Sequence, residues 1–176
     1  MIETDPQLEQ QLIAHEGLKL KPYRCTAGKL TIGVGRNLDD VGLTDLELRI
    51  IRKRNPAWQI GDAITRDEAM LLLRNDIVRA RGGARTVVSH FDGLSTARQR
   101  VLIDMVFNLG LRRFVKFKGL LGALVVGDYA RAAEEMLDSK WARQVGKRAT
   151  TLAAMMSTDG RMPQAQDAQE RQMRQG

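Results

Sequence analysis

A chain of 176 residues, 43% of them hydrophobic, is long enough to bury a core of its own. Its single cysteine excludes an internal disulfide, and no stretch is long or apolar enough to span a bilayer. The formal net charge of +7 is unevenly placed: residues 1–75 carry eleven basic and eleven acidic side chains, and the remainder carries 17 and 10. Such an excess suits a polyanion, whether nucleic acid, an anionic membrane surface or the cell wall, and charge alone does not choose. The opening Met1-Ile2-Glu3-Thr4-Asp5-Pro6 has neither the basic start nor the apolar run of a secretory signal, so synthesis as a soluble cytosolic protein is expected.

Asp5-Pro6 predicts a helix start, with an N-cap carboxylate before Pro at the first helical position, and Gly17 predicts its end. From Leu18 to Leu38 the periodicity changes to that of strands, with Leu18, Leu20, Tyr23, Leu30, Ile32 and Val34 alternating with polar or glycine positions. Thr26-Ala27-Gly28-Lys29 reads as the turn between them. Thr44-Asp45-Leu46-Glu47 is a capping box for a short helix that must fail before Asn55-Pro56. Thr65-Arg66-Asp67-Glu68 is a second one, opening a helix expected to stop at Gly82-Gly83.

Beyond it the pattern is helical. Residues 95–109 are apolar on nearly every side, which places that helix inside a bundle. Further helices are expected at Leu120–Val126, Tyr129–Leu137 and Arg143–Met156, and the Gln-rich tail after Gly160 reads as frayed or loosely attached. The expected architecture is mainly α (α+β): an N-terminal helix and small sheet-containing lobe over residues 1–65, a connecting helix over 66–82, a helical lobe over 83–160, and a polar tail over 161–176. A cleft between two lobes commonly holds a substrate.

Leu8, Leu12 and Glu16 lie at i, i+4 and i+8, which puts a carboxylate on the stripe of buried leucines. It also falls in the last helical turn, at the negative end of the dipole. Both effects favour the protonated form that a general acid needs, although a solvated carboxylate at a helix end has the same pattern. On Leu30-Thr31-Ile32-Gly33-Val34-Gly35 one face is apolar and the other carries only the Thr31 hydroxyl and two glycines. That bare face suits the approach of a bulky polymer, or else the glycines serve a twist or bulge.

The run His15-Glu16-Gly17-Leu18-Lys19-Leu20, continuing through Tyr23, Cys25, Thr26, Gly28 and Thr31-Ile32-Gly33-Val34-Gly35, resembles the signature of family 24 glycoside hydrolases, the lysozymes of T-even and related phages. That family places a Glu, then Asp or Cys nine positions on, then Thr six further, and Glu16, Cys25 and Thr31 keep the spacing. Asp104-Met105-Val106-Phe107-Asn108-Leu109-Gly110 resembles its central helix. Ser139-Lys140-Trp141 and Lys147-Arg148-Ala149 resemble its last helices. The likeness covers about residues 5–160, with longer insertions near 38–64.

The resemblance implies the two-lobed lysozyme fold and hydrolysis of the β-1,4 bond between N-acetylmuramic acid and N-acetylglucosamine in peptidoglycan, for host lysis. It implies that Glu16 protonates the glycosidic oxygen, that Cys25 stands where the family commonly holds a water-activating Asp, and that Thr31 holds the water. Arg148 would pair with the catalytic Glu, and Phe107, Asn108 and Trp141 would hold the peptide stem. Asp104 and Asn108 would form the polar strip of a buried helix. No metal or organic cofactor is implied, and a monomer is expected. So is release from the host cytoplasm through a phage pore protein, and contact of the positive C-terminal part with anionic wall polymers or outer-membrane phosphates.

Three departures stand out. A thiol is mostly neutral at pH 7, so Cys25 is a base, a nucleophile or a packing residue, and Arg24 beside it on a strand points to the opposite face. The family's His after the double-glycine strand is Arg36, which leaves that ion pair open. Two polar peptide-contacting positions are Leu120 and Glu135, so the wall chemotype is open as well. The rival classes are a non-catalytic wall-binding module or tail component, a lytic transglycosylase, and a nucleic-acid binder. The last would need a basic recognition helix or exposed sheet aromatics, and aromatics are only 5% of the chain.

Overall fold

The computed structural model describes residues 5–160, so the tail after Gly160 lies outside the described residues. The chain divides between Ala80 and Arg81 into two compact units. The first contains α1 (Pro6–Glu16), β1 (Lys19–Arg24), β2 (Leu30–Gly33), β3 (Arg36–Asn37), α2 (Asp45–Arg54) and most of α3 (Arg66–Val87). The second contains the end of α3, a 3-10 turn at Phe91–Gly93, α4 (Thr96–Leu109), α5 (Leu111–Phe114), α6 (Lys118–Val125), α7 (Tyr129–Leu137), α8 (Lys140–Val145) and α9 (Lys147–Thr158). Among the described residues no helix is long and apolar enough to cross a membrane.

The local signals act as their chemistry predicts. The Leu8 N–H donates to the Asp5 carboxylate at 3.1 Å, and Gly17 ends α1 with φ +77°. Both capping boxes are closed in each direction: Thr44 with Glu47, and Thr65 with Glu68. The first unit's core is Ile32, Leu38, Ile51, Trp58, Ile64, Ala69 and Leu72. In the second, every residue from Val101 to Val106 of α4 is buried, and α7 packs on α6 and α9.

The sheet is antiparallel in the order β1-β2-β3, with Tyr23 opposite Thr31, Thr31 opposite Asn37 and an irregularity between Lys19 and Tyr23. The expected bare face of β2 is covered. Gly33 and Thr31 are buried, and a Cβ on Gly33 would sit 3.7 Å from the Ala69 Cβ on α3. The glycines serve the backbone instead, with φ of +65° at Gly33 and +73° at Gly35 turning β2 into β3. That short third strand and the single-turn α5 have too few residues for a periodic signal.

Two helix boundaries also differ from expectation. α3 runs through Gly82-Gly83 to Val87, because the burial of Ala84 and Val88 outweighs a cost of about 1 kcal/mol per glycine. Gly83 has a use in it: the Val106 and Leu111 methyls come within 3.5 Å of where its Cβ would be. Residues 143–156 do not form one helix. Gly146, at φ +55° and ψ −118°, ends α8 and starts α9. Its N–H donates to Ala142, and its carbonyl accepts from Ala149, each at 2.9 Å.

Arg36 takes up the open question of an ion pair. Its guanidinium, 2% exposed, meets Glu47 at 2.9 Å and Asp76 at 2.8 Å, and donates to the Gly42 and Leu72 carbonyls. Asn75 adds a bond to Glu47 at 2.7 Å. Burial alone would raise the Glu47 pKa. The hydrogen bonds from Arg36 and Asn75 and from the Thr44 N–H overcome it and hold the carboxyl at about 2.

A carboxyl depressed by folding stabilises the native state above its unfolded value, and that stabilisation is lost as pH falls through the folded value. The thermal midpoint should therefore drop between about pH 4.5 and pH 2. Glu47→Gln should flatten that slope while costing about 3 kcal/mol at neutral pH, because a buried guanidinium loses a partner. Denaturation curves across this pH range read both effects.

Candidate active site

Glu16 is the last residue of α1 and partly exposed, one turn beyond the fully buried Leu8 and Leu12. Gly17 releases the chain from the helix there, so the carboxylate is carried by a rigid element with no helix beyond it. The far side of Glu16 is shaped by Gly35. A Cβ built on Gly35 would lie 3.4 Å from Glu16 Oε2 and 3.5 Å from its Cγ, so a side chain there would be in van der Waals contact with the acid.

Cys25 opens the turn after β1. Its N–H donates to the Lys29 carbonyl at 3.0 Å, and its own carbonyl accepts from the Gly28 N–H at 2.8 Å. The thiol is held below its ordinary pKa. Backbone hydrogen bonds at Ala27 and Lys29 are the largest causes, and the Thr31 hydroxyl adds to them against the effect of burial. Arg24 is not among these causes, because its guanidinium donates to the Gly28 carbonyl at 2.8 Å. The thiolate is thus favoured by peptide donors, the same means by which backbone nests hold anions.

Thr31, 4% exposed, stands on β2 with its hydroxyl 3.1 Å from the Lys29 carbonyl. A hydroxyl has one proton, so it serves either that carbonyl or the Cys25 sulfur at any moment. Tyr23, opposite Thr31 in the register, connects the group. Its phenol is raised in pKa first by burial and then by the negative charges of Glu16 and Cys25. It is therefore a neutral hydroxyl that senses both acidic groups, and Lys19 Nζ lies 3.9 Å over its ring. Sequence reading placed Tyr23 in the strand alternation and Gly35 on a bare face, both within the family signature, and gave neither of them a part at the site. Neither role has a local signal.

The remaining predicted positions lie in the second unit. Asn108 and Trp141 are brought together, with the indole N–H donating to the Asn108 Oδ1 at 2.9 Å. Trp141 is buried and meets the Phe117 ring edge-on at 6.2 Å. Phe107 is half-buried in the last turn of α4. Arg148 meets Asp104 at 2.8 Å, inside the polar strip expected of α4. Leu120 is buried, and Glu135 pairs with Arg131 at 2.5 Å. Among the described residues no cluster of His, Cys, Asp or Glu is arranged to hold a metal ion.

The phage lysozyme family model matches residues 13–156. An endolysin of Acyrthosiphon pisum secondary endosymbiont phage 1 is 32% identical over 134 residues, covering 76% of this chain and 77% of that protein. A probable T4-type lysozyme of Dictyostelium discoideum is 27% identical over 159 residues, covering 86% of this chain and 94% of the relative. The pre-baseplate central spike protein of Enterobacteria phage T4 is 28% identical over 161 residues; the match takes in 86% of this chain but only 28% of the spike protein's length. With the family model matching most of its length, the chain belongs to the phage lysozyme family, glycoside hydrolases that act on bacterial peptidoglycan.

Proposed function

We propose that the protein is a muramidase that cuts the β-1,4 bond between N-acetylmuramic acid and N-acetylglucosamine, and that it serves host lysis as an endolysin. Support comes chiefly from one observation: Glu16 lies against Gly35 just after β2, and Cys25 opens the turn that joins β1 to β2, the strand on which Thr31 stands. An acid, a candidate base and a water-holding hydroxyl therefore belong to one small region of the first unit. In the reaction Glu16 gives its proton to the glycosidic oxygen as the bond to the sugar C1 breaks. The positive charge that develops at C1 is met by a water held at Thr31, whose proton passes to the Cys25 thiolate. In the second unit, Asn108 and Trp141 with Phe107 hold the peptide stem, and Arg148 belongs to the ion pairs supporting the site. A pore protein of the phage would release the enzyme from the host cytoplasm to the wall.

Digestion of purified peptidoglycan, followed by analysis of the chain ends, tests this reading. New reducing ends of N-acetylmuramic acid are expected. Anhydro-sugars would identify a lytic transglycosylase instead, and wall binding without new ends would identify a binding module. A second setting for the same chemistry, a lysozyme segment within a phage tail, is favoured by the similarity to the spike protein. Copurification with tail structures rather than with free enzyme would distinguish it.

A further inference from the structure

Lys29 is the residue on which the turn of the candidate site is built. Its carbonyl accepts from the Cys25 N–H at 3.0 Å and from the Thr31 hydroxyl at 3.1 Å. Its backbone also takes part in the hydrogen bonding that favours the Cys25 thiolate. One residue's backbone thus serves both the candidate base and the water-holding hydroxyl. What holds Lys29 in turn lies past the end of β3, in the turn Asn37-Leu38-Asp39-Asp40.

β3 has only two residues, so its ladder with β2 stops at the pair Thr31 and Asn37. Beyond that pair the Leu38 N–H still donates to the Leu30 carbonyl at 2.8 Å. The Leu30 N–H then meets a side chain in place of a strand, donating to the Asp39 carboxylate at 2.9 Å. Lys29 Nζ meets the Asp40 carboxylate at 3.0 Å. Both acidic residues are set by Asn37. Its Oδ1 accepts from the N–H groups of Asp39 and Asp40, and its Nδ2 donates to Asp40 Oδ2, each at 2.9 Å. Exposed ion pairs contribute little to stability. What this arrangement supplies is geometry, because it fixes Lys29 by its side chain and Leu30 by both of its peptide groups. We infer that Asn37, Asp39 and Asp40 are positioning residues, a clamp on the Lys29–Leu30 backbone that keeps Cys25 and Thr31 in their hydrogen-bonded places. The effect on turnover rests on the proposed reading of Cys25 as base, whereas the effect on the thiol itself does not.

Charge and position act on the thiol with opposite signs. Asp39 and Asp40 are both felt by Lys29, which also feels Cys25, so removing a carboxylate here favours the thiolate and lowers its pKa. Loosening the clamp raises it, because the thiolate loses its backbone hydrogen bonds at Ala27 and Lys29. The other groups about the thiol are the Thr31 hydroxyl on β2, the Tyr23 phenol on β1, and Arg24, which is held by the Gly28 carbonyl. None of these is altered in the variants below.

The chain has one cysteine, so alkylation reports this thiol alone. The rate of reaction with iodoacetamide against pH gives the thiol midpoint in the folded protein, without substrate. Asp39→Ala should raise that midpoint by about one pH unit, the scale of one hydrogen bond to a charged group. Asp39→Asn is equally uncharged but keeps an oxygen for the Leu30 N–H, and it should not raise the midpoint. Asn37→Ala changes no charge and should act as Asp39→Ala does. Melting curves establish that each variant is folded, and should Asn37→Ala fail to fold, the two Asp39 variants carry the test. In Asp39→Ala the ascending limb of kcat/KM should move up together with the thiol. A thiol midpoint that moves while the activity limb stays would uphold the clamp and remove Cys25 as the base. The inference is overturned if the alanine variants leave the thiol midpoint at the parental value or lower it. It is equally overturned if Asp39→Asn raises the midpoint as far as Asp39→Ala does.

Discussion

Glu16→Gln should lower peptidoglycan turnover at least about 100-fold, the scale on which a positioned general acid acts, while leaving wall binding and the melting curve unchanged. Glutamine keeps the shape that rests on Gly35 and removes only the transferable proton. Steady-state hydrolysis of purified wall should therefore fall in kcat, with KM little altered, because the substitution removes an interaction made in the transition state. A variant that keeps more than about a tenth of parental turnover would overturn the assignment, since general acid catalysis contributes more than that.

A loss of similar size is expected at Cys25. If the thiolate accepts the proton of the attacking water, Cys25→Ala should cost about 10²-fold or more. Cys25→Asp should retain substantial activity, because it supplies a carboxylate base at the same turn. The pH profile separates a base from a packing residue. A base works deprotonated, so kcat/KM should rise with pH through the thiol's pKa, which the backbone hydrogen bonds at Ala27 and Lys29 hold below the ordinary thiol value. In Cys25→Asp that ascending limb should move several pH units downward, to the carboxylate range. Alkylation of the thiol blocks the site by bulk as well as by chemistry, so the alanine variant is the decisive one. Parental rates in Cys25→Ala would leave Cys25 as packing, with Thr31 and Glu16 placing the water.

How far the sequence foretells this molecule depends on how local each determinant is. Helix ends written in one turn of chain, such as Asp5-Pro6, Thr44 with Glu47 and Thr65 with Glu68, appear where their chemistry puts them. Glu16, Cys25 and Thr31, whose spacing the sequence displays, all lie in one unit. Features decided by a distant partner were not legible. Nothing near Gly33 announces that Ala69 will lie over it, and nothing near Arg36 names Glu47 and Asp76 as its partners. Glycine was the most ambiguous letter: at Gly82-Gly83 it is absorbed by a helix, while at Gly146 it divides one. The difference lies in burial of the following residues and in a backbone angle, neither of which the residue type declares.

The contact between Gly35 and Glu16 carries a consequence for how this protein can vary. The acid lies against a position that has no side chain, on a different part of the fold. A methyl group at position 35 would meet a φ of +73° that L residues seldom adopt, and it would touch the Glu16 side chain. Substitution at position 35 therefore strains the backbone beside the proton donor, although the residue bears no functional group at all. A mutational survey restricted to polar and ionisable side chains would pass over this position, although it lies against the acid.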